Sequence, residues 1–287
     1  MTQPPTTIAM QAQTMFTRTH LLTALAAAFT LTVTLSGCGG GSDNTPATPT
    51  TPTTPGVPTT PTSSLTQGRW VSANLTPAYT AIQVPATTGA NSPAVDTLWA
   101  LAQDATTLIK LKANGTAQTA GAVTGNVYTL GTSSVTAVTG GSYTLSASAA
   151  TATSPAGQQM SLQPVLGTTA LFNRTDAMDS ALTAAQANGK WQADLGAVKV
   201  SWTVDTAAAN VKNLSGTSTS GCTYSGQSTV VATQSLYKVQ FTEACPGTPA
   251  STFHGVGTLA ADNARLTVVA TNEAETRATA LLFAKQP

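Results

Sequence analysis

Charged residues are scarce in this chain of 287 residues, and their scarcity excludes several classes of protein. Lys, Arg, Asp and Glu make up 8% of the sequence, whereas a typical globular domain has about 25%. The balance of 12 basic and 11 acidic residues leaves no basic stripe for nucleic acid and no polybasic patch for anionic lipid. We therefore expect no nucleic-acid partner.

Side chains suited to catalysis or metal binding are few as well. The chain has 2 histidines, and only His254 lies outside the N-terminal apolar segment. No ligand-spaced partner and no Gly-x-Ser-x-Gly elbow accompanies it, so the sequence predicts neither a hydrolytic triad nor a metal site. We expect no enzyme activity and no cofactor. A glycosidase built on two carboxylates from distant chain positions stays open as an alternative.

The N-terminal segment has the pattern of an export signal. Residues 15–38 read MFTRTHLLTALAAAFTLTVTLSGC, with Arg18 ahead of a long uncharged run. That run has the length of a secretory signal and is short for a membrane-spanning helix, which needs about 20 residues. It ends in Leu35-Ser36-Gly37-Cys38, which resembles the lipobox of bacterial lipoproteins.

The resemblance implies a lipid anchor at Cys38. In that family the thiol receives a diacylglyceryl group, the signal is cut before the cysteine, and the new amino end is acylated. Residues 1–37 would then be a signal peptide, and several acyl chains would anchor the protein stably in the cell envelope. Gly39 after the cysteine resembles the outer-membrane sorting pattern, and Met15 is an alternative start. The competing interpretation is an ordinary signal peptide followed by a chance cysteine.

Residues 38–67 predict a disordered linker behind this anchor. The stretch is rich in Thr and Pro and has almost no apolar residues, so no core can offset the entropy lost on folding. Recurrent Pro favours an extended polyproline II chain that reaches on the order of 80 Å. We expect the linker to hold the folded part clear of the lipid.

Beyond the linker the sequence predicts antiparallel β structure. Thr, Ala, Ser and Gly take the place of charged residues, which suits strands and turns with a hydroxyl-rich surface. Apolar and polar residues alternate in short runs between glycine-containing turns. In one such run Ile109 and Leu111 share one face of a strand while Lys110 and Lys112 share the other.

We predict an all-β fold, mostly antiparallel, with two small units of meander, barrel or sandwich type. The first unit covers 68–174 and the second 189–287, and an Ala-rich stretch predicts a short connector helix over 175–188. A short internal repeat supports two units, because Gly68-Arg69-Trp70 and Gly189-Lys190-Trp191 would each begin one of them.

The chain has three cysteines, and two of them are left to pair with each other if Cys38 carries lipid. Cys222 and Cys245 then remain in an oxidising compartment, where disulfides persist. Their midpoint falls at Thr233-Gln234, a plausible turn, so a simple hairpin would put the two cysteines directly opposite each other. Two free thiols and a metal site are the alternatives.

The segment from Ser215 to the end resembles the C-terminal β unit of uncharacterised proteobacterial surface lipoproteins. The shared features are Gly-Cys-Thr-aromatic-Ser-Gly, a Tyr-x-Val strand, a second cysteine and a closing strand that ends near Lys-x-Pro. This resemblance implies fold and location only, because the family has no assigned chemistry.

These features predict a membrane-anchored envelope lipoprotein that is a non-catalytic binding or surface-interaction module. Its partners would be envelope, polysaccharide or host-surface components, and its ligand-binding residues are unknown. The alternatives are a structural envelope accessory protein, an inhibitor, or a barrel that holds a small ligand in the manner of lipocalins. The four tryptophans fit a ligand-stacking face or, more often for Trp on strands, a core: Trp70, Trp99, Trp191 and Trp202.

Overall fold

The computed structural model describes residues 68–84, 95–114, 119–148, 157–183, 185–231 and 234–287. The signal peptide predicted for 1–37, the lipid anchor at Cys38 and the linker of 38–67 lie outside the described residues. Those expectations stay predictions.

Sixteen strands form two closed barrels of eight strands each. In each barrel every strand pairs antiparallel with its neighbours in the chain, and the first and last strands pair to close the sheet. This confirms the all-β, two-unit prediction and selects the barrel among the architectures left open. The first barrel contains β1 Gly68–Ser72, β2 Tyr79–Val84, β3 Val95–Ala102, β4 Thr107–Asn114, β5 Ala120–Thr129, β6 Val135–Ser148, β7 Gly157–Gln163 and β8 Ala170–Asp176. The second contains β9 Gly189–Asp194, β10 Lys199–Ala208, β11 Val211–Ser218, β12 Thr223–Val230, β13 Tyr237–Ala244, β14 Ser251–Leu259, β15 Arg265–Asn272 and β16 Ala278–Lys285.

The connector helix predicted over 175–188 is wrong: no helix occurs in the described part of this segment, in which 175–176 end β8, 177–183 are irregular and 185–187 form a turn. Met178 has φ of 52°, in the left-handed region that interrupts a right-handed helix. Its side chain is 2% exposed, and its carbonyl accepts a hydrogen bond from the Ser235 N–H at 2.9 Å. Contacts with the second barrel thus replace the helical hydrogen bonds, and they outweigh the helix propensity of alanine, which is small per residue and insufficient to hold so short a segment helical.

Alternating side chains fill the barrel interiors. Trp70, Trp191 and Trp202 are at most 1% exposed and belong to the two interior clusters. In the second barrel the Trp202 ring lies 5.0 Å from the Phe241 ring and 4.8 Å from the Phe283 ring. Eight strands enclose a space just wide enough for such side chains, so the aromatic residues form cores.

The Cys222–Cys245 disulfide is present, as predicted. β12 pairs with β13 from Thr223 opposite Ala244 to Val230 opposite Tyr237, which puts the two cysteines opposite each other just beyond the paired residues. The bond closes the open end of this hairpin, and a loop of this length should contribute about 3 kcal/mol by restricting the unfolded chain.

The two tripeptides of the internal repeat occupy equivalent positions. Gly68-Arg69-Trp70 begins β1 and Gly189-Lys190-Trp191 begins β9. The closing strands add a second equivalence, because Arg174 lies opposite Trp70 and Lys285 lies opposite Trp191. In each barrel, therefore, a basic residue of the last strand lies next to the buried tryptophan of the first strand.

Candidate binding surface between the barrels

Each barrel interior has a small cavity lined by described residues. Each retains a cavity of about 10 Å³, which is room for about one water molecule. The first is lined by residues such as Leu98, Tyr143 and Met160, and the second by Trp202, Leu214 and Tyr237. Clefts of ligand size lie outside these interiors, where the two barrels meet.

The barrels pack against each other through apolar residues on their outer faces, a contact we call the seam. Outward positions of a barrel in water are ordinarily polar. Here the buried outward residues, together with Met178 of the connector, form one apolar cluster: Ile82, Val84, Trp99, Leu108, Tyr128, Leu236, Val256, Val269 and Ala280. The seam therefore depends on side chains of both barrels.

A polar clamp lies beside these apolar residues. Glu275, in the turn between β15 and β16, accepts hydrogen bonds from the Lys110 ammonium at 2.9 Å and the Lys112 ammonium at 2.6 Å. The Lys110 ammonium also donates to the Thr271 hydroxyl at 2.9 Å, and the Tyr128 hydroxyl donates to the Glu275 carbonyl at 3.1 Å. The turn of the second barrel is thus tied to two strands of the first.

The electrostatics of the clamp favour the ionised carboxylate. Burial alone would raise the pKa of Glu275, but the hydrogen bonds and charges of Lys112 and Lys110 outweigh it and hold the pKa below its usual value. Burial lowers the pKa of Lys110, and its hydrogen bond to Glu275 and the charge of that residue offset part of this effect. Each partner therefore stabilises the charged form of the other.

Two clefts remain open along the seam, and Trp99 lines both. The first, the lysine groove, has a volume of about 440 Å³ and is lined by Lys110, Lys112, Lys238 and His254 together with Thr and Gln side chains. Its charged lining residues are lysines, and two of them, Lys110 and Lys112, are paired with Glu275. Its lining also includes the apolar residues Val84, Trp99, Val239 and Val256.

The second opening, the arginine cleft, has a volume of about 460 Å³. Arg69 of β1 and Arg265 of β15 line it, one arginine from each barrel, together with three threonines. Its apolar lining includes Val71, Ile82, Trp99, Leu101, Val269 and Leu282. Both openings fall within the range of about 300–1,000 Å³ that is usual for small-molecule sites.

The connector packs against the second barrel near a buried lysine. Leu182 and Ala187 contact the interior cluster of that barrel, and the Trp191 indole N–H donates to the Ala187 carbonyl at 2.8 Å. Lys212 is 0% exposed and donates from its ammonium to the Asn188 side-chain oxygen at 2.7 Å. Burial lowers the pKa of this lysine, and the amide oxygen of Asn188 compensates part of the lost hydration.

His254 is exposed on β14, opposite Gln240, and no carboxylate pairs with it among the residues that the structure describes. The disulfide sulfurs cannot act as thiolate ligands, although the Glu243 carboxylate lies 3.3 Å from the Cys245 sulfur. Of the tryptophans, three are interior, and Trp99, 6% exposed, belongs to the seam.

Sequence reasoning missed the seam and its clamp. A signal was present in near-continuous apolar runs such as Val268-Val269-Ala270 in β15, because a strand buried on both faces loses its alternation. Nothing in the sequence indicates which strand of the first barrel covers that second face.

The fold and the seam define a class: tandem eight-stranded up-and-down barrels joined through their outer faces. Comparison with protein-family models, curated proteins and solved structures gives no match for this chain. In the part of the chain that the structure covers, no helix is long and apolar enough to cross a membrane.

Proposed function

We propose that this protein is a lipid-anchored, non-catalytic binding module of the bacterial envelope. Cys38 carries the anchor, residues 38–67 form the spacer, and the paired barrels present the binding surface. The observation that supports binding most directly is the pair of clefts at the seam, each of ligand size and each lined by side chains from both barrels.

The location is supported by two independent features of the sequence and fold. The segment that ends at Leu35-Ser36-Gly37-Cys38 resembles a lipoprotein signal. The Cys222–Cys245 disulfide fits an oxidising compartment, because such bonds are rare in the reducing cytosol.

Intact-mass analysis of the full chain from a bacterial membrane fraction tests the anchor. The expected product begins at Cys38 and carries acyl chains, and the Cys38→Ala variant should carry no acyl chains and keep residues 1–37. An unprocessed chain with an unmodified thiol at position 38 would overturn the anchored role.

Binding is tested with the full-length Cys38→Ser chain, exported without its anchor, on an array of envelope polysaccharides and host glycans. Lys238→Gln removes a charge from the lysine groove, and Lys199→Gln removes one from an exposed strand position that lines neither cleft. The expected result is a bound component whose affinity falls with the first variant or with changes in the arginine cleft, but not with Lys199→Gln. If no component binds, and deletion of the gene weakens the envelope, the structural accessory role is correct instead.

A further inference from the structure

We infer that the arginine cleft binds an amphipathic anion, a molecule with one carboxylate or phosphate group and an apolar body. This inference rests on the proposed binding role and names a site and a ligand class for it. Three features of the cleft support it: its arginine charges, its exposed apolar surface and its contrast with the lysine groove.

The charges come from Arg69 and Arg265, one on each barrel. Neither guanidinium pairs with a carboxylate within the described ranges, and no acidic residue among them lines the cleft. Three acidic residues lie near the arginines or the cleft along the chain or in strand pairing: Asp104, Asp176 and Asp262. Each of these carboxylates accepts a hydrogen bond from the backbone N–H two residues further on. In a chain with so few charges, two such arginines at one cleft are complementary to an anion.

Arginine also specifies the kind of anion. Its planar guanidinium matches the two oxygens of a carboxylate or a phosphate, and such paired hydrogen bonds are stronger than those between neutral groups. Thr80, Thr258 and Thr267 add hydroxyl groups to the same lining. The cleft thus offers donors to an acid group from both of its walls.

The apolar lining of the cleft favours a ligand that has an apolar body as well as an acid group. Leu282 is 48% exposed and is one of two large hydrophobic residues that are exposed in the described part of the chain. Val71 and Leu101 line the same cleft and are half-buried, and Ile82 and Trp99 line it and are buried. An apolar ligand body would remove this surface from water, which a simple inorganic anion would not.

The lysine groove does not have this combination. Two of its lysines are already paired with Glu275, and its large apolar lining residues are all buried: Val84, Trp99, Val239 and Val256. The arginine cleft is therefore the better site for a ligand that is both charged and apolar.

Isothermal titration of the full-length Cys38→Ser chain tests the inference with five probes, each below its micelle concentration. Dodecanoate and dodecyl phosphate have an acid group and a chain, dodecanol has the chain alone, and butyrate and inorganic phosphate have the acid with little or no chain. Dodecanoate and dodecyl phosphate should bind at least about tenfold more tightly than the other three probes, because they contact both the arginines and the apolar lining of the cleft. A preference between dodecanoate and dodecyl phosphate would identify the ligand as a fatty acid or as a lipid phosphate.

Substitutions locate the binding. Arg69→Gln and Arg265→Gln should each weaken dodecanoate binding by about tenfold, Leu282→Gln should weaken every probe that has a chain, and Lys199→Gln should change nothing. Thermal unfolding of each variant verifies that it folds. Dodecanol binding as tight as dodecanoate, indifference to both arginine substitutions, or no binding of either amphiphile would overturn the inference. A failure of this kind leaves the polysaccharide array and the anchor experiment as separate tests of the proposed function.

Discussion

Replacement of Glu275 by glycine should relieve a strained backbone conformation and remove the clamp between the barrels, and the structure predicts that the second effect is stronger. Glu275 has φ of 53°, a left-handed conformation that glycine adopts freely and glutamate does not. Relief of this conformation should stabilise the turn by about 1 kcal/mol. The same substitution removes the clamp between the barrels.

Loss of the clamp should outweigh the relief of the turn. The Lys110 side chain is 12% exposed and that of Glu275 is 24% exposed, so their 2.9 Å contact is a partly buried, charge-assisted hydrogen bond of about 1.5–3 kcal/mol. The Lys112 side chain is 42% exposed, and its contact adds only a few tenths of a kcal/mol after solvent screening, roughly what surface pairs contribute. Glu275→Gly should therefore destabilise the protein by about 1 kcal/mol net.

A matched control exists in the first barrel. Ala105 lies at the same position of an equivalent four-residue turn, has φ of 55°, and has no side-chain group that could form a clamp. Ala105→Gly should stabilise the protein by about 1 kcal/mol through the same relief. Asn263, with φ of 53° in a third such turn, should respond little to glycine, because Asn tolerates this conformation.

Urea denaturation followed by tryptophan fluorescence measures all three variants. The difference of about 2 kcal/mol between Glu275→Gly and Ala105→Gly is the contribution of the clamp, and it corresponds to roughly 4–8 °C in melting temperature for a folded region of this size. Equal stabilisation by both substitutions would refute the clamp. A double variant with Lys110→Gln should show that most of the loss depends on this one lysine.

Three further predictions concern pH, the disulfide and strand packing. The lowered pKa of Glu275 means that its contribution is fully present above the ordinary value of 4.5 and is lost as the pH falls through the lowered value. Acid titration of stability should therefore be flatter in Glu275→Gln than in the wild type, and identical profiles would contradict the pairing. The double variant Cys222→Ser/Cys245→Ser should lose about 3 kcal/mol in urea, and the wild type should match it once reductant opens the bond. Gly255→Ala should lower the free energy of unfolding by about 1–3 kcal/mol, because the added methyl group would overlap the backbone of β15. Gly257→Ala should lower it less, because its methyl group would lie 3.3 Å from the nearest neighbour. The reverse order of the two losses would be evidence against this packing.

Local patterns predicted the strands and the hairpin of the disulfide because these depend on residues close in sequence. Alternation placed Ile109 and Leu111 on one face of a strand and Lys110 and Lys112 on the other, and symmetry about a turn placed Cys222 opposite Cys245. The same reasoning failed for the connector. Alanine is the strongest helix former, but the gain per residue is small, and Met178 gains burial and a hydrogen bond from Ser235 by leaving the helical conformation.

The amino-acid sequence by itself determined two antiparallel β units, their inward faces and the pairing of two cysteines, because period-two alternation and turn chemistry act within a few residues. Only the tertiary structure decided that the units close into barrels, that Glu275 reaches Lys110, and that Arg69 and Arg265 line one cleft. The residues brought together in both cases lie far apart in the chain. Which outer faces meet is decided by the fit of two complete barrels, and no local pattern encodes that fit.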